Sequence, residues 1–260
     1  MNNISYRVAN LEDINDFIAL IRNGNENYID KIIYGCKGID KFISRNIEND
    51  ESVLKYFVAQ IENKIIGAME MKILNSNIFL NYIAIDNKFR GKKIGSNLIK
   101  YGVEDLLKQY DYGNIQLDVF EDNIGALKLY KKIGFQVINK YEWHTIKTKE
   151  NQSEIVNYRI LNKEEYRSTY DYRGFSNLTL EVNKKIKNVG MLGEKWFRVR
   201  SNDLDDNLIN CLSQIDDREI LSIGEDMLNV SSNKFNINKL YNSYRMETSI
   251  DNLIINLNKE

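Results

Sequence analysis

Residues 85–96 read Ile-Asp-Asn-Lys-Phe-Arg-Gly-Lys-Lys-Ile-Gly-Ser, and an apolar-periodic run from Leu98 to Leu107 follows them. A strand-like stretch from Phe79 to Ile85 therefore passes through an Arg/Gly/Lys turn into a helix. At such a junction several backbone N–H groups lack intrahelical partners and converge, and the helix dipole adds positive potential there. The result is an anion cradle suited to a pyrophosphate. Lys92 and Lys93 add charge, and Gly91 and Gly95 let the backbone come close. The same residues would also make an ordinary strand–helix turn with a solvated basic loop, so the neighbouring elements must decide.

Those elements are legible from their periods. Residues 4–9 alternate as a strand. Leu11, Ile14, Phe17, Ile18 and Ile21 share one helical face, with Asn10 placed to cap it, Asp13 three residues on, and Gly24 to stop it. Residues 25–50 read as helix-rich and broken near Gly35 and Gly38. Strands near 53–61 and 65–74 form a hairpin turning at Glu62-Asn63-Lys64, and a strand near 78–85 pairs on. A helix over 96–109 backs the cradle. The strand Asn114–Phe120 leads to a helix carrying Asn123, Ala126, Leu129 and Tyr130, and Gly134-Phe135 opens another strand, over 135–142. A last strand is expected at about 154–161.

The order strand, anion turn, helix, strand, Asn-x-x-Ala-x-x-x-Tyr helix, Gly-Phe strand resembles the GNAT (Gcn5-related) N-acetyltransferase superfamily, bacterial in type. Residues 80–136 carry the likeness. Tyr6-Arg7-Val8-Ala9 with Glu12-Asp13-Ile14 is similar to the family's first strand and helix, and Tyr56-Phe57-Val58-Ala59 and Ile65-Ile66-Gly67-Ala68 to its second and third strands. The resemblance implies an α/β fold with a mixed, mostly antiparallel twisted sheet, splayed at the cofactor strand. A smaller C-terminal α+β region would follow. It implies acetyl-CoA as cosubstrate and direct transfer of the acetyl group to a primary amine of a small molecule or peptide. It also implies pantetheine contacts from Ile83, Ala84 and Ile85, and a pyrophosphate cradle from Arg90, Gly91, Lys92, Lys93, Ile94, Gly95 and Ser96. Asn123 and Ala126 would complete the cofactor contacts. The family pattern places a small residue where this chain has Lys93, a departure that bears on the cradle's shape. Residues 25–50 would form a wall of the acceptor pocket.

Tyr130 is the residue suited to protonate the departing thiolate, because a phenol beside a thiolate can donate in the transition state. The competing reading is a packing tyrosine, one of 16 in the chain. Asn123 can bind cofactor through its amide and cap its helix at once. For the general base the residues leave alternatives. Family members often carry Glu in the strand before the cradle, but Asn81 and Tyr82 stand there, and an amide accepts no proton at neutral pH. Glu70 on the neighbouring strand, Glu142 or His144 near a strand end, or a water relay would have to serve. Cys36 is not needed as a nucleophile, since direct transfer forms no covalent enzyme intermediate.

Composition excludes other classes. With 260 residues and a net charge of −1 the chain can bury a sizeable core, and no whole-molecule field favours nucleic acid. Two cysteines, Cys36 and Cys211, and one histidine cannot build a zinc site. They read as reduced, packed thiols of a cytoplasmic protein. The N-terminal residues show no basic-then-apolar signal, and no apolar run approaches membrane-spanning length.

The pattern divides the chain into an acetyltransferase domain over 1–150 and a C-terminal α+β domain over 160–260, with acceptor-side or dimerising character. The polar run Lys147–Ser153 is a linker or a hairpin tip. Trp196, Phe197, Leu204, Leu208, Leu212, Ile220, Leu221 and Ile223 can make a core there. Phe197-Arg198-Val199-Arg200 with the acidic start after it echoes residues 6–13, and Ser243–Glu247 is similar to a terminal strand of the family. A degenerate, truncated second half is one reading, and without a second Arg-x-Gly turn it would hold no second cofactor. Such a region must pack on the first domain or on a second copy of the chain. Asp203, Asp205, Asp206, Asp216, Asp217, Glu219, Glu225 and Asp226 against Arg218 would attract a cationic amine or form solvated faces. Three function classes remain: an amine acetyltransferase, a catalytically silent acyl-CoA-binding sensor or assembly module, and a structural protein.

Overall fold

The computed structural model describes residues 4–109, 111–149, 154–225 and 228–259. In chain order the elements begin with β1 (Ile4–Val8), α1 (Ile14–Gly24), α2 (Ile39–Ile47), β2 (Leu54–Ile61), β3 (Lys64–Leu74), β4 (Asn77–Ile85), α3 (Ile94–Leu107), β5 (Asn114–Phe120) and α4 (Ile124–Lys132). They continue with β6 (Gln136–Thr148), β7 (Tyr158–Ile160), α5 (Lys163–Arg173), β8 (Phe175–Val182), β9 (Lys185–Leu192), β10 (Trp196–Arg200), α6 (Asp206–Ile215), β11 (Glu219–Gly224), β12 (Phe235–Ser249) and α7 (Ile250–Lys259). Two compact units result. Unit 1 takes residues 1–27, 40–139 and 244–260, and unit 2 takes 28–39 and 140–243.

Unit 1 is a mixed sheet. β1, β2, β3 and β4 are antiparallel neighbours, and β5 joins β4 in parallel. Side chains alternate across a strand, so adjacent β2 residues reveal what covers each face. The ring of Tyr56 meets Phe17 of α1 at 5.6 Å, while Phe57 meets Tyr101 of α3 at 6.2 Å. The sheet is thus sandwiched, which accounts for the near-continuous burial of β3. The N-terminal cap follows the expectation: Asn10 accepts from the Glu12 N–H at 2.9 Å and Asp13 returns a bond from the Asn10 N–H at 2.8 Å. Arg7 closes on the same Asp13 carboxylate at 2.6 and 2.8 Å. One short turn of tighter helix, Leu11–Asp13, precedes α1.

Unit 2 places its strands in the order β6, β11, β10, β9, β8, β7, with α6 burying Leu208, Ile209, Cys211 and Leu212. The expected strand at 154–161 is confined to Tyr158–Ile160, and the one expected at 135–142 runs on to Thr148. Residues 150–153 of the polar run lie outside the described residues.

The division at 150–160 read from the sequence differs from the compact units at a specific place. The position beside β5 in unit 1 is filled by the end of β12, where Gln116 donates to Glu247 at 2.6 Å and Arg245 grips Asp118 at 2.5 and 2.8 Å. The position beside β11 in unit 2 is filled by β6, with Ile220 opposite Ile146 and Gly224 opposite Glu142. Unit 1 therefore takes its last strand from the far part of the chain, whereas unit 2 takes β6, which directly precedes its other strands in sequence. α7, which the sequence reading left unassigned, carries Ile250, Leu253 and Leu257 into the unit 1 core with Met246. Their spacing of three and four is the helical signal that could have found it.

The dependence of unit 1 on residues 244–260 is testable. Leu253 is fully buried, so Leu253→Ala should lower the urea unfolding free energy by about 2–5 kcal/mol. A chain truncated after Ser243 should lose cooperative unfolding of unit 1.

Candidate active site

The site begins where β4 and β5 part. Their parallel ladder runs from Asn77–Asn114 to Leu80–Leu117 and stops. The ladder of β4 with β3 continues to Ile85, opposite Gly67. Between Tyr82, paired with Glu70, and Leu80, paired with Met71, the register shifts, leaving Asn81 as a bulged residue. A bulge bends its strand and increases the twist. Among the described residues Ile83, Ala84 and Ile85 thus form a strand segment paired with β3 on one side and beyond the end of the β5 ladder on the other, an edge that could receive an extended ligand backbone.

At the end of this segment the chain turns through a short Asn87–Phe89 helix and Arg90 into α3. Arg90 ties the turn to its strand by donating from Nε to the Ile85 carbonyl at 3.2 Å. Gly91 has φ +74°, and Lys93, the residue before α3, is left-handed at φ 61°. The family's small residue at that point is explained, since a left-handed conformation costs a side-chain-bearing residue about 1–2 kcal/mol. Lys93 adopts it nonetheless, and its side chain is exposed along with Arg90 and Lys92. The first intrahelical bond of α3 is from the Asn97 N–H to the Lys93 carbonyl, at 3.0 Å. The N–H groups of Ile94, Gly95 and Ser96 therefore end on the loop side. Neither an acidic residue in the first turn nor a side-chain cap competes for them. A side chain at Gly95 would meet Leu129 and Ile85 only at 3.7 and 3.8 Å.

Asn123 caps α4, its side-chain oxygen accepting from the Ala126 N–H at 3.2 Å. Ala126 is half-buried one turn before Tyr130. Tyr130 is buried, its ring 5.7 Å from Phe135, and burial holds its phenol proton above the ordinary tyrosine range. The cradle, the splayed strand, Asn123, Ala126 and Tyr130 are all parts of unit 1.

The candidate bases are distributed differently. Glu70 is fully buried in unit 1 and accepts from Asn81 Nδ2 at 2.7 Å. Glu142 and His144 belong to unit 2 and lie within β6 rather than near a strand end. Glu142 is ion-paired with Lys239, which holds its carboxyl below the usual range. His144 lies 3.6 Å from Glu142, and burial lowers its pKa. The two cysteines are free and buried, and burial pushes the Cys211 thiol up to about 12.

Unit 2 contains a strand–helix–strand crossover of the same kind, β10–α6–β11, but closed. β10 pairs with β11 along its whole length, Trp196–Glu219 to Arg200–Ile223. Asp205 fills the N-terminus of α6, accepting from the Leu208 N–H at 2.8 Å, and also pairs with Lys187. The echo read at Phe197–Leu204 is corrected in register by this topology. β10 sits in a parallel crossover and so corresponds to β4, whereas the edge strand β7 takes the place that β1 has in unit 1. Asp206 and Asp216 are likewise committed, to Ser231 and Arg218. Asp226 lies outside the described residues.

Residues 29–135 match the model of the acetyltransferase (GNAT) family. That segment is a GNAT-family domain, as the order of its motifs implies. A spermine/spermidine N(1)-acetyltransferase of Bacillus subtilis is 36% identical over 62 residues, 24% of this chain and 41% of that protein. An L-amino acid N-acetyltransferase of Escherichia coli is 27% identical over 34% of this chain and 57% of its own length. The chain thus spans about half the length of these curated relatives. Among solved structures, a tandem GNAT protein from the clavulanic acid biosynthesis pathway superposes over 95% of this chain and 98% of its own, with TM-score 0.67 and 8% identity. A GCN5-related N-acetyltransferase from Sphaerobacter thermophilus gives TM-score 0.62 at 13% identity over 95% and 96%. At such identities the likeness is one of fold, and it extends through the residues of both units. Among the described residues no helix is long and apolar enough to cross a membrane.

The backbone of the turn supplies a test of its own. No atom lies within 4 Å of a methyl group added at Gly91, so only its positive φ opposes a side chain. Gly91→Ala should cost about 1–2 kcal/mol in urea unfolding, with no change in the packing of α3.

Proposed function

We propose that the protein is an acetyl-CoA-dependent N-acetyltransferase whose working site lies in unit 1 and whose acceptor is a primary amine of a small molecule or peptide. The observation that carries this reading is the abrupt end of the β4–β5 ladder beside an uncapped helix N-terminus. Together they offer a strand edge for a pantetheine arm and converging N–H groups for a pyrophosphate. The acetyltransferase activities named for the matched relatives support the reaction class.

Acetyl-CoA supplies an activated thioester. Residues 90–96 would neutralise its pyrophosphate, and Ile83 to Ile85 would align its arm along β4. When the amine nitrogen bonds to the acetyl carbon, the carbon–sulfur bond breaks and the thiolate leaves. The protonated Tyr130 phenol would give its proton to that sulfur, a role its burial favours by keeping the phenol neutral. Within unit 1 the enclosed Glu70 is committed to Asn81, which supports water as the carrier of the amine proton. Unit 2, with a closed crossover and carboxylates at its helix start, is read as a degenerate counterpart that holds no cofactor.

Two variants test the reading. Gly95→Glu has room to fold and sets a carboxylate against the proposed pyrophosphate, so the thermal stabilisation by acetyl-CoA should vanish. Undiminished stabilisation would overturn the cradle. Tyr130→Phe should reduce turnover by about 10²–10⁴-fold with little effect on acetyl-CoA affinity, measured as free CoA released over a panel of amines. Binding without turnover of any amine in the unmodified protein would instead favour the silent acyl-CoA-binding reading.

A further inference from the structure

Glu70 is fully buried, yet it sits in β3 among apolar neighbours. A buried carboxylate demands hydrogen-bond donors, and one donor here is the side chain of Asn81, at 2.7 Å. Asn81 is the residue at which β4 bulges, one position after the last β4–β5 pair, Leu80 with Leu117. The carboxylate therefore holds the very residue at which β4 turns away. Tyr56, opposite Glu70 on β2, keeps its hydroxyl buried without a hydrogen-bond partner among the described residues.

We propose that Glu70 is a positioning residue: through Asn81 it locks the bulge, fixes where β4 leaves β5, and so sets the path of the acyl-CoA arm. This rests on the acetyltransferase reading of unit 1. The chemistry separates this role from that of a general base. A base needs an oxygen that can take up a proton, whereas the clamp needs only an oxygen that accepts from Asn81. Glutamine at position 70 retains the second property and loses the first.

The test compares Glu70→Gln, Glu70→Ala, Asn81→Ala and the Glu70→Ala/Asn81→Ala double variant in the full-length protein. Glu70→Gln should keep kcat, KM for acetyl-CoA and the pH profile of turnover within about threefold of the parent, while the two alanine variants raise KM for acetyl-CoA by about tenfold or more with a smaller change in kcat. The double variant should be no worse than the worse single one, because both remove one interaction. Loss of turnover in Glu70→Gln equal to that in Glu70→Ala, with one limb of the pH profile gone, would overturn the proposal in favour of a base. Additive losses would overturn it too.

Hydrogen exchange of the peptide spanning 77–85 gives a readout independent of catalysis. Protection of Tyr82 to Ile85 should fall in Asn81→Ala and persist in Glu70→Gln, and equal protection in both would sink the clamp. If Glu70→Ala does not fold, that pair carries the test alone. If the parent protein neither binds nor turns over acetyl-CoA, the acetyltransferase reading fails, and the exchange data still decide whether Glu70 holds the bulge.

Discussion

The site in unit 1 depends on a ladder that stops. Four residue pairs join β4 to β5, and beyond Leu80–Leu117 the strands part. Ending a parallel ladder early leaves backbone groups that must find other partners. That cost is tolerable where a ligand can later provide them. The bulge at Asn81 makes the departure abrupt, and the β3 ladder, which resumes at Tyr82 and runs to Ile85, holds the freed segment as it leads into the turn. The rest follows in space: Arg90 holds the turn to the strand, left-handed backbone at Gly91 and Lys93 reverses the chain, and α3 starts with its N–H groups uncovered.

The contrast with unit 2 shows that the crossover topology alone makes no site. β10–α6–β11 repeats the parallel connection, but the ladder is complete and Asp205 occupies the helix start. A carboxylate at a helix N-terminus stabilises the helix by satisfying the donors and the dipole. It also takes the place an anionic ligand would use. In α3 those donors stay open and the nearby side chains are Arg90, Lys92 and Lys93, an arrangement less stabilising for the helix and more useful for binding. The two units thus show one connection tuned in opposite directions by a few residues.

Completion of unit 1 by β12 and α7 links the site to the far end of the chain. Met246, Ile250, Leu253 and Leu257 share one apolar cluster with Leu98, Val103 and Leu106 of the cradle helix. The lysine–asparagine bond between Lys100 and Asn258, 2.6 Å, joins the same two helices. The helix that presents the N–H groups is therefore held by residues about 150 positions away, a contact of high sequence separation.

Local chemistry made much of this protein legible from its residues. Alternating and 3.6-residue periods placed β1 to β5 within a few positions. Asn10 with Asp13 announced the first cap, and Asn123 with Ala126 the start of α4. The Arg90–Ser96 turn was readable because backbone geometry there depends on nearest neighbours. What the residues left open were matters of pairing. Asn81 looked like a mere substitution for a carboxylate until the register showed it as the bulge bonded to Glu70. Glu142 and His144 were legible as titratable groups near a strand end, but that they lie within a long β6 and belong to unit 2 was not. The division near 150 missed the return of residues 244–260, because nothing local in β12 states which sheet its second half will join. Periodicity reports which face of an element is apolar. Only the tertiary structure decides which other face will cover it, since that choice is made by burial between residues far apart in the chain.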